Sequence, residues 1–229
     1  APGQYWREDK KYFGFQPKAG PKVLIYNDTE THLAVSKDSV NWKKLGRITD
    51  SRHDDRDVII FPERVNGKYV KISRAMDKCG EGYKNAKPAI WISFSDDLLE
   101  WPREEELLYE GKEDWESEKV GGSCPPVKTD KGWLFIYHGV SSFDKNYRVG
   151  AMLLDLNDPR KILAKTKDFL MEPEFDFESK GFYAGCVFPT GIVEVNDEYY
   201  IYYGAGDQCI CLATVNKKEL LNELLGGNK

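Results

Sequence analysis

The sequence predicts an all-β chain: a β-propeller with about four blades' worth of residues and a short C-terminal helix, forming one domain over residues 1–229. Two observations carry this. Short aromatic strands recur along the chain, each followed by a second strand, and these pairs return at a period of about 60 residues. Aromatic residues make up 13% of the chain, which favours β structure or a sugar-binding surface.

Residues 1–21 show no clear strand pattern. The first aromatic strand, Lys-Val-Leu-Ile-Tyr, spans 22–26, and His-Leu-Ala-Val-Ser follows at 32–36. This is an incomplete first blade ending near Trp42. Three fuller repeats succeed it. Their aromatic strands lie at 68–72, 133–137 and 199–203, and their second strands at 90–94, 149–154 and 210–214. A further apolar strand precedes each aromatic one, at 58–61, 125–127 and 191–195. The dipeptides Asn66-Gly67, Lys131-Gly132 and Asn196-Asp197 stand just before the aromatic strands, where they favour tight hairpins. The first two repeats end alike, in Ser-x-Asp-x-x-x-Trp from Ser36 to Trp42 and from Ser95 to Trp101. A plain β-sandwich is the alternative, but it leaves that shared ending unexplained. Residues 217–225 read as a short amphipathic helix stopped by Gly226-Gly227, so 215–229 is helix and tail.

Composition excludes several function classes. The 229 residues are 41% hydrophobic and 31% charged, with a net charge of −5. A nucleic-acid backbone binder normally carries a basic face instead. No apolar run is long enough to span a bilayer, so no membrane partner is expected. The five cysteines fit neither a disulfide framework nor a zinc site, and they read as small hydrophobes in a reducing, cytoplasmic setting. Three histidines are too few for a multi-histidine metal cluster, and neither a metal nor an organic cofactor is implied. The start lacks both a secretory signal and an initiator Met, and is expected to be the trimmed beginning of a longer protein.

Charged residues at strand ends are the candidates for chemistry. Arg56 and Asp57 abut the strand at 58–61, Arg74 follows that at 68–72, and His138 follows that at 133–137. Lys119 precedes the Gly-Gly-Ser-Cys-Pro-Pro turn, where glycine lets backbone approach a ligand. Taken singly, each reads equally as a solvated loop charge or a core histidine. Equivalent positions in successive blades converge on one mouth, so together they suggest an anion site, with arginine forks suited to phosphate oxygens.

These motifs resemble glycoside hydrolase family 130: Asp-Val-Ile-Ile-Phe-Pro-Glu-Arg from Asp57 with Arg74, Lys-Val-Gly-Gly from Lys119, Trp-Leu-x-Ile-Tyr-His-Gly from Trp133, Tyr-Arg-Val-Gly-Ala from Tyr147 and Tyr-Tyr-Gly-Ala-x-Asp ending at Asp207. The resemblance runs from about residue 30 to the C-terminus. It implies a five-bladed propeller with its active site in the central cavity. It further implies inverting phosphorolysis of a β-mannoside to α-mannose 1-phosphate, with inorganic phosphate as co-substrate and a β-mannoside oligosaccharide as partner. Arg56, Arg74, Lys119 and His138 match the family's phosphate-binding positions. Asp57, Tyr147, Arg148, Tyr183 and Asp207 match sugar-side positions, and Phe182 stands beside Tyr183. The family's general acid is an aspartate in a Glu-Asp-Pro-Arg type motif. Here the comparable dipeptide is Glu8-Asp9, followed by Lys10-Lys11, which makes Asp9 the expected acid. A β-mannosidase of the same family and an inactive sugar- or phosphate-binding propeller are the alternatives. With one blade short, the open edges favour pairing into a homo-oligomer.

Overall fold

A computed structural model describes residues 29–226. The expected strand at 22–26, the stretch 1–21 and Asp9 lie outside the described residues. Those described form four antiparallel sheets in chain order. The first pairs β1 (His32–Ser36) with β2 (Trp42–Arg47). The second orders β3 (Asp55–Ile60), β4 (Tyr69–Ala75), β5 (Ile90–Ser95) and β6 (Glu106–Tyr109) as a simple meander. In the third, β7 (Lys119–Gly122) and the two-residue β8 (Val127–Lys128) both pair β9 (Trp133–Val140), which continues to β10 (Tyr147–Leu154) and β11 (Ile162–Lys165). The fourth runs α1 (Asp176–Ser179), then β12 (Val187–Val195), β13 (Glu198–Ala205) and β14 (Cys209–Asn216), and ends in α2 (Lys217–Leu224). Among the described residues the first repeat contributes two strands, and the last repeat has three where the second has four.

The predicted hairpins form at their turn residues. Asn66 and Gly67 both take positive φ (49° and 80°), as does Asn196 (55°). The strand expected at 125–127 is corrected. Pro125 and Pro126 have no N–H to give a ladder. The chain therefore pairs with β9 on either side of them, through β7 and β8.

The shared Ser-x-Asp-x-x-x-Trp ending is one turn built twice. Asp38 Oδ1 accepts from the backbone N–H groups of Val40 and Asn41, and Asp97 Oδ1 from those of Leu99 and Glu100. The Trp42 and Trp101 indoles donate to the carbonyls of Ser39 and Leu98. Asp155, after β10, makes the same turn to Asn157 and Asp158, and Asn216, the last residue of β14, uses it to cap α2.

Strand β9 holds the core together. Its side chains alternate, and both faces are buried. Trp133, Phe135 and Tyr137 pack with Ile59, Ile72, Ile90 and Ile92 of the second sheet. Leu134 and Ile136 pack with Ile201, Tyr203 and α2 Leu220 and Leu224. A buried carboxylate anchors each of the last two sheets. Glu116, fully buried, accepts from the hydroxyls of Tyr109 (2.6 Å) and Tyr137 (2.5 Å), and Glu178 accepts from Tyr203 (2.8 Å). The cysteines depart from a uniformly buried set: Cys124 and Cys186 are buried, Cys79 and Cys211 are half-buried, and Cys209 is exposed. No described helix is long and apolar enough to cross a membrane.

Candidate functional site

The site begins with an irregularity in β3. Arg56 sits opposite Arg74 in the β3–β4 ladder, and the register then shifts before Ile59 pairs Ile72. Asp57 lies in that bulge with φ +51°, a left-handed conformation rarely taken by a residue with a side chain. The bulge turns its carboxylate toward the neighbouring strand. Asp57 Oδ2 accepts both Nε (2.9 Å) and Nη2 (2.5 Å) of Arg74 and stands 3.4 Å from His138 Nε2. Burial alone would raise this carboxyl. The Arg74 guanidinium and His138 outweigh burial and hold it well below the usual carboxylate range.

Behind Asp57, His138 is completely buried. Its Nδ1 faces Ser123 Oγ at 3.1 Å, and its ring packs on Phe188 (4.5 Å between centroids) and Tyr147 (5.4 Å). Burial lowers its basicity, with the Asp57 charge opposing. Gly121, opposite His138 in the β7–β9 ladder, is what allows this packing. A Cβ there would stand 2.1 Å from Asp57 Oδ2 and 2.7 Å from His138 Cε1. The glycine expected to admit a ligand instead admits this pair.

A cavity of about 170 Å³ opens in front, lined by Arg56, Asp57, Arg74, Tyr147, Tyr183, Cys186, Phe188 and Asp207. At about 30 Å³ per water it has room for five or six waters. Arg56 is also bound by Asp54, through Nε at 2.9 Å and Nη2 at 2.5 Å. Lys119 Nζ lies 5.2 Å from the Tyr147 ring centre, and burial, with Arg74 beside it, pushes its ammonium down to about 8. Tyr147 meets Tyr183 edge to face (5.2 Å, 87°), and the Tyr183 hydroxyl donates to the Lys145 carbonyl. Asp207 occupies the β13–β14 turn at φ +52°, with Cys186 Sγ 3.9 Å from its Oδ1, and burial raises its carboxyl. Three cations thus gather at a partly enclosed cavity with aromatic walls, an arrangement able to hold an anion against a sugar ring.

Of the residues singled out by sequence, Arg56, Asp57, Arg74, Tyr147, Tyr183 and Asp207 share this cavity. Lys119 stands at its edge and His138 behind its wall. Arg148 is elsewhere. Its neighbour Tyr147 points inward, so strand alternation sends Arg148 out to Asp144 (2.7 Å), Glu172 (3.0 Å) and the Phe169 ring. Cys186 and Phe188 were not anticipated. Their signal lies in a second repeat: Asp114-Trp-Glu-Ser before Gly121 matches Asp176-Phe-Glu-Ser before Gly185. That match makes β12 the counterpart of β7 and places its first residues at the cavity.

A family model for β-1,4-mannooligosaccharide phosphorylases matches residues 48–225. A 1,2-β-oligomannan phosphorylase from Thermoanaerobacter sp. (strain X514) is 38% identical over 195 residues, 85% of this chain and 61% of the relative. A β-1,2-mannobiose phosphorylase from the same organism is 38% identical over 93% of this chain and 65% of its own length. The solved β-1,2-mannobiose phosphorylase of Listeria innocua, in complex with β-1,2-mannobiose, superposes with a TM-score of 0.76 at 35% identity, covering 85% of this chain and 53% of that one. The chain therefore spans less than two thirds of the length of these relatives.

Proposed function

The chain belongs to glycoside hydrolase family 130, and we propose that it carries the phosphate side of a β-mannoside phosphorylase. The observation that carries this reading is the Arg56–Arg74 pair, which shares one cavity with Tyr147, Tyr183 and Asp207 and has Lys119 at its edge. Inorganic phosphate binds against the two guanidinium groups and Lys119. One of its oxygens attacks the anomeric carbon of the mannosyl unit from the face opposite the leaving sugar. The C1–O bond to that sugar breaks, a proton reaches the departing oxygen, and α-mannose 1-phosphate forms. Because phosphate is the nucleophile, the cavity needs cations to hold it and no second carboxylate base. Asp9, outside the described residues, is the proposed proton donor.

In this reading the four sheets are blades of a five-bladed propeller. Its support is that the leading strands of three successive sheets, β3, β7 and β12, bring Arg56 and Asp57, Lys119, and Phe188 to one place. Asp207 and Tyr183 face the mannosyl hydroxyls, and the unpaired cysteines favour a reducing, cytoplasmic location.

The deciding experiment incubates the protein with β-1,2- and β-1,4-mannobiose, with and without inorganic phosphate. Mannose 1-phosphate released only when phosphate is supplied is the expected result. Free mannose formed equally well without phosphate would overturn it in favour of a hydrolase.

A further inference from the structure

The β3–β6 sheet has two unlike faces. Val70, Ile72, Ile90 and Ile92 enter the core from one, while Lys71, Ser73, Trp91 and Ser93 line the other. Glu105 lies across that second face, 3.1 Å from Lys71 Nζ and 2.9 Å from Lys78 Nζ, and it accepts from the hydroxyls of Ser73 and Ser93. Asp55 joins this cluster only 2% exposed, and its Oδ1 has no hydrogen-bond partner. Burial, reinforced by Glu105, pushes its carboxyl up to about 6. Withdrawing these groups from water is costly, and the phosphate-side cavity uses none of them.

Asp55, Lys71 and Glu105 of this cluster floor a cavity of about 200 Å³ walled by Trp101, whose ring centre is 5.1 Å from Lys71 Nζ. His53, Arg103 and Glu105 also line an adjoining cleft of about 700 Å³, with Tyr83 and Trp91 in its wall. Neither space shares a residue with the cavity around Arg56 and Arg74.

We propose that this cavity, with the cleft beside it, is a second carbohydrate-binding site, taking a mannosyl unit of a β-mannan chain outside the phosphate-side cavity. Three features select a neutral polyhydroxylated ligand. The cavity lining sets Asp50, Asp55 and Glu105 against Arg47, Lys71 and Arg103, so it offers little net charge to attract an ion. Its donors and acceptors are fixed by burial and hydrogen bonds, and Asp55 Oδ1 holds an acceptor position in reserve for an incoming hydroxyl. An indole in the wall gives the apolar face of a sugar ring a surface to lie against. The choice of mannose among sugars rests on the mannoside reading given above. A second hold on the chain favours long substrates over disaccharides.

Saturation-transfer NMR with β-1,2-mannobiose and with longer β-1,2-mannan oligosaccharides tests this on the full chain. With mannoside binding in the phosphate-side cavity disabled by Tyr147→Ala, the oligosaccharides still receive saturation. Adding Trp101→Ala weakens that binding about tenfold, and Trp101→Phe restores most of it. Arg103→Ala on the exposed rim weakens it by about threefold without lowering the melting temperature. In otherwise wild-type protein, Trp101→Ala raises KM for long oligosaccharides and leaves kcat on mannobiose unchanged. Loss of all binding in a folded Tyr147→Ala protein overturns the proposal. So does unchanged binding in both Trp101→Ala and Arg103→Ala. Binding by a wild-type protein that releases no mannose 1-phosphate overturns the phosphorylase reading and leaves this site standing.

Discussion

Asp57 and His138, brought together from different sheets, meet at 3.4 Å, and the Asp57 oxygen that faces the imidazole also takes two hydrogen bonds from Arg74. The arginine that faces the cavity is thus set by a carboxylate that is itself set by a buried histidine. Phe188 packs against that histidine, and Gly121 closes against both partners. An anion entering the cavity meets a guanidinium whose position was fixed by folding, which is the condition for electrostatic stabilisation without reorganisation.

Gly121→Ala tests that packing most directly. The added Cβ would fall 2.1 Å from Asp57 Oδ2, and neither Asp57 nor His138 can withdraw without breaking its other contacts. Phosphate-dependent turnover is expected to fall at least tenfold, with a stability loss of about 1–3 kcal/mol. Thermal melts with steady-state kinetics check both. Activity within twofold of wild type would mean that the Asp57–His138 contact is dispensable.

Asp57→Asn removes the charge that neutralises buried Arg74, so the guanidinium is left as an uncompensated cation. A destabilisation of about 3 kcal/mol near neutral pH is expected, together with a higher KM for phosphate. The pH dependence has a fixed sign. The Asp57 carboxyl is held below its unfolded value of about 3.9, so its contribution is complete above that pH. It is lost as pH falls through the folded value. Urea melts between pH 7 and pH 2 should therefore show a constant gap between wild type and Asp57→Asn down to about pH 4 and a narrowing gap below it.

Lys119 supplies an alkaline limb. Its ammonium is pushed down to about 8, so the free protein loses this cation as pH rises through that value. Since a phosphate in the cavity favours the charged form, kcat/KM for phosphate should begin to fall near pH 8, while the limb in kcat lies at higher pH. Lys119→Arg, always charged, should flatten the kcat/KM limb. The linkage runs oppositely for stability. Between about 8 and the unfolded lysine value of about 10.4 the unfolded chain binds more protons, so the contribution of Lys119 to stability grows with pH there. A kcat/KM profile unchanged by Lys119→Arg would remove Lys119 from the site.

How much of this was legible in the sequence depended on what each segment looks like out of context. Strands β9 and β13 stand out because aromatic and large aliphatic residues run unbroken through 133–137 and 199–203, β9 because both its faces are buried, and β4 stands out by the alternation of Val70 and Ile72 with Lys71 and Ser73. Strand β7 did not stand out. Lys-Val-Gly-Gly reads as a turn, and only its neighbours explain the glycines: a Cβ at Gly121 meets Asp57, and one at Gly122 falls 2.6 Å from Ile59. The approach of Arg74 and His138, which meet across Asp57 Oδ2, followed from their places at corresponding ends of β4 and β9. The inward turn of Asp57 did not, because a bulge with φ +51° leaves no mark in residue type. The Glu116–Tyr137 and Glu178–Tyr203 anchors were readable from the paired Asp-x-Glu-Ser segments, but only once a repeat was sought among the loops.

Arg148 and Tyr147 give the sharpest contrast between motif and geometry, because they are adjacent in one motif and face opposite ways. Tyr147 lines the cavity, 5.4 Å from the His138 ring and 5.2 Å from Lys119 Nζ. Arg148 is held on the other face by Asp144 and Glu172 over the Phe169 ring, all partly open to solvent. Arg148→Ala should therefore leave kcat and both KM values within about twofold of wild type. Its stability cost of about 1 kcal/mol comes from lost packing and partly screened ion pairs. Tyr147→Ala should lower kcat/KM for the mannoside by at least tenfold, because it removes a cavity wall and the ring beneath Lys119. Initial-rate kinetics on the two variants, with melts to confirm folding, separate the cases. An Arg148→Ala protein that is fully folded yet inactive would show that the guanidinium reaches the substrate after all, and would require the β10 face assignment to change when the mannoside binds.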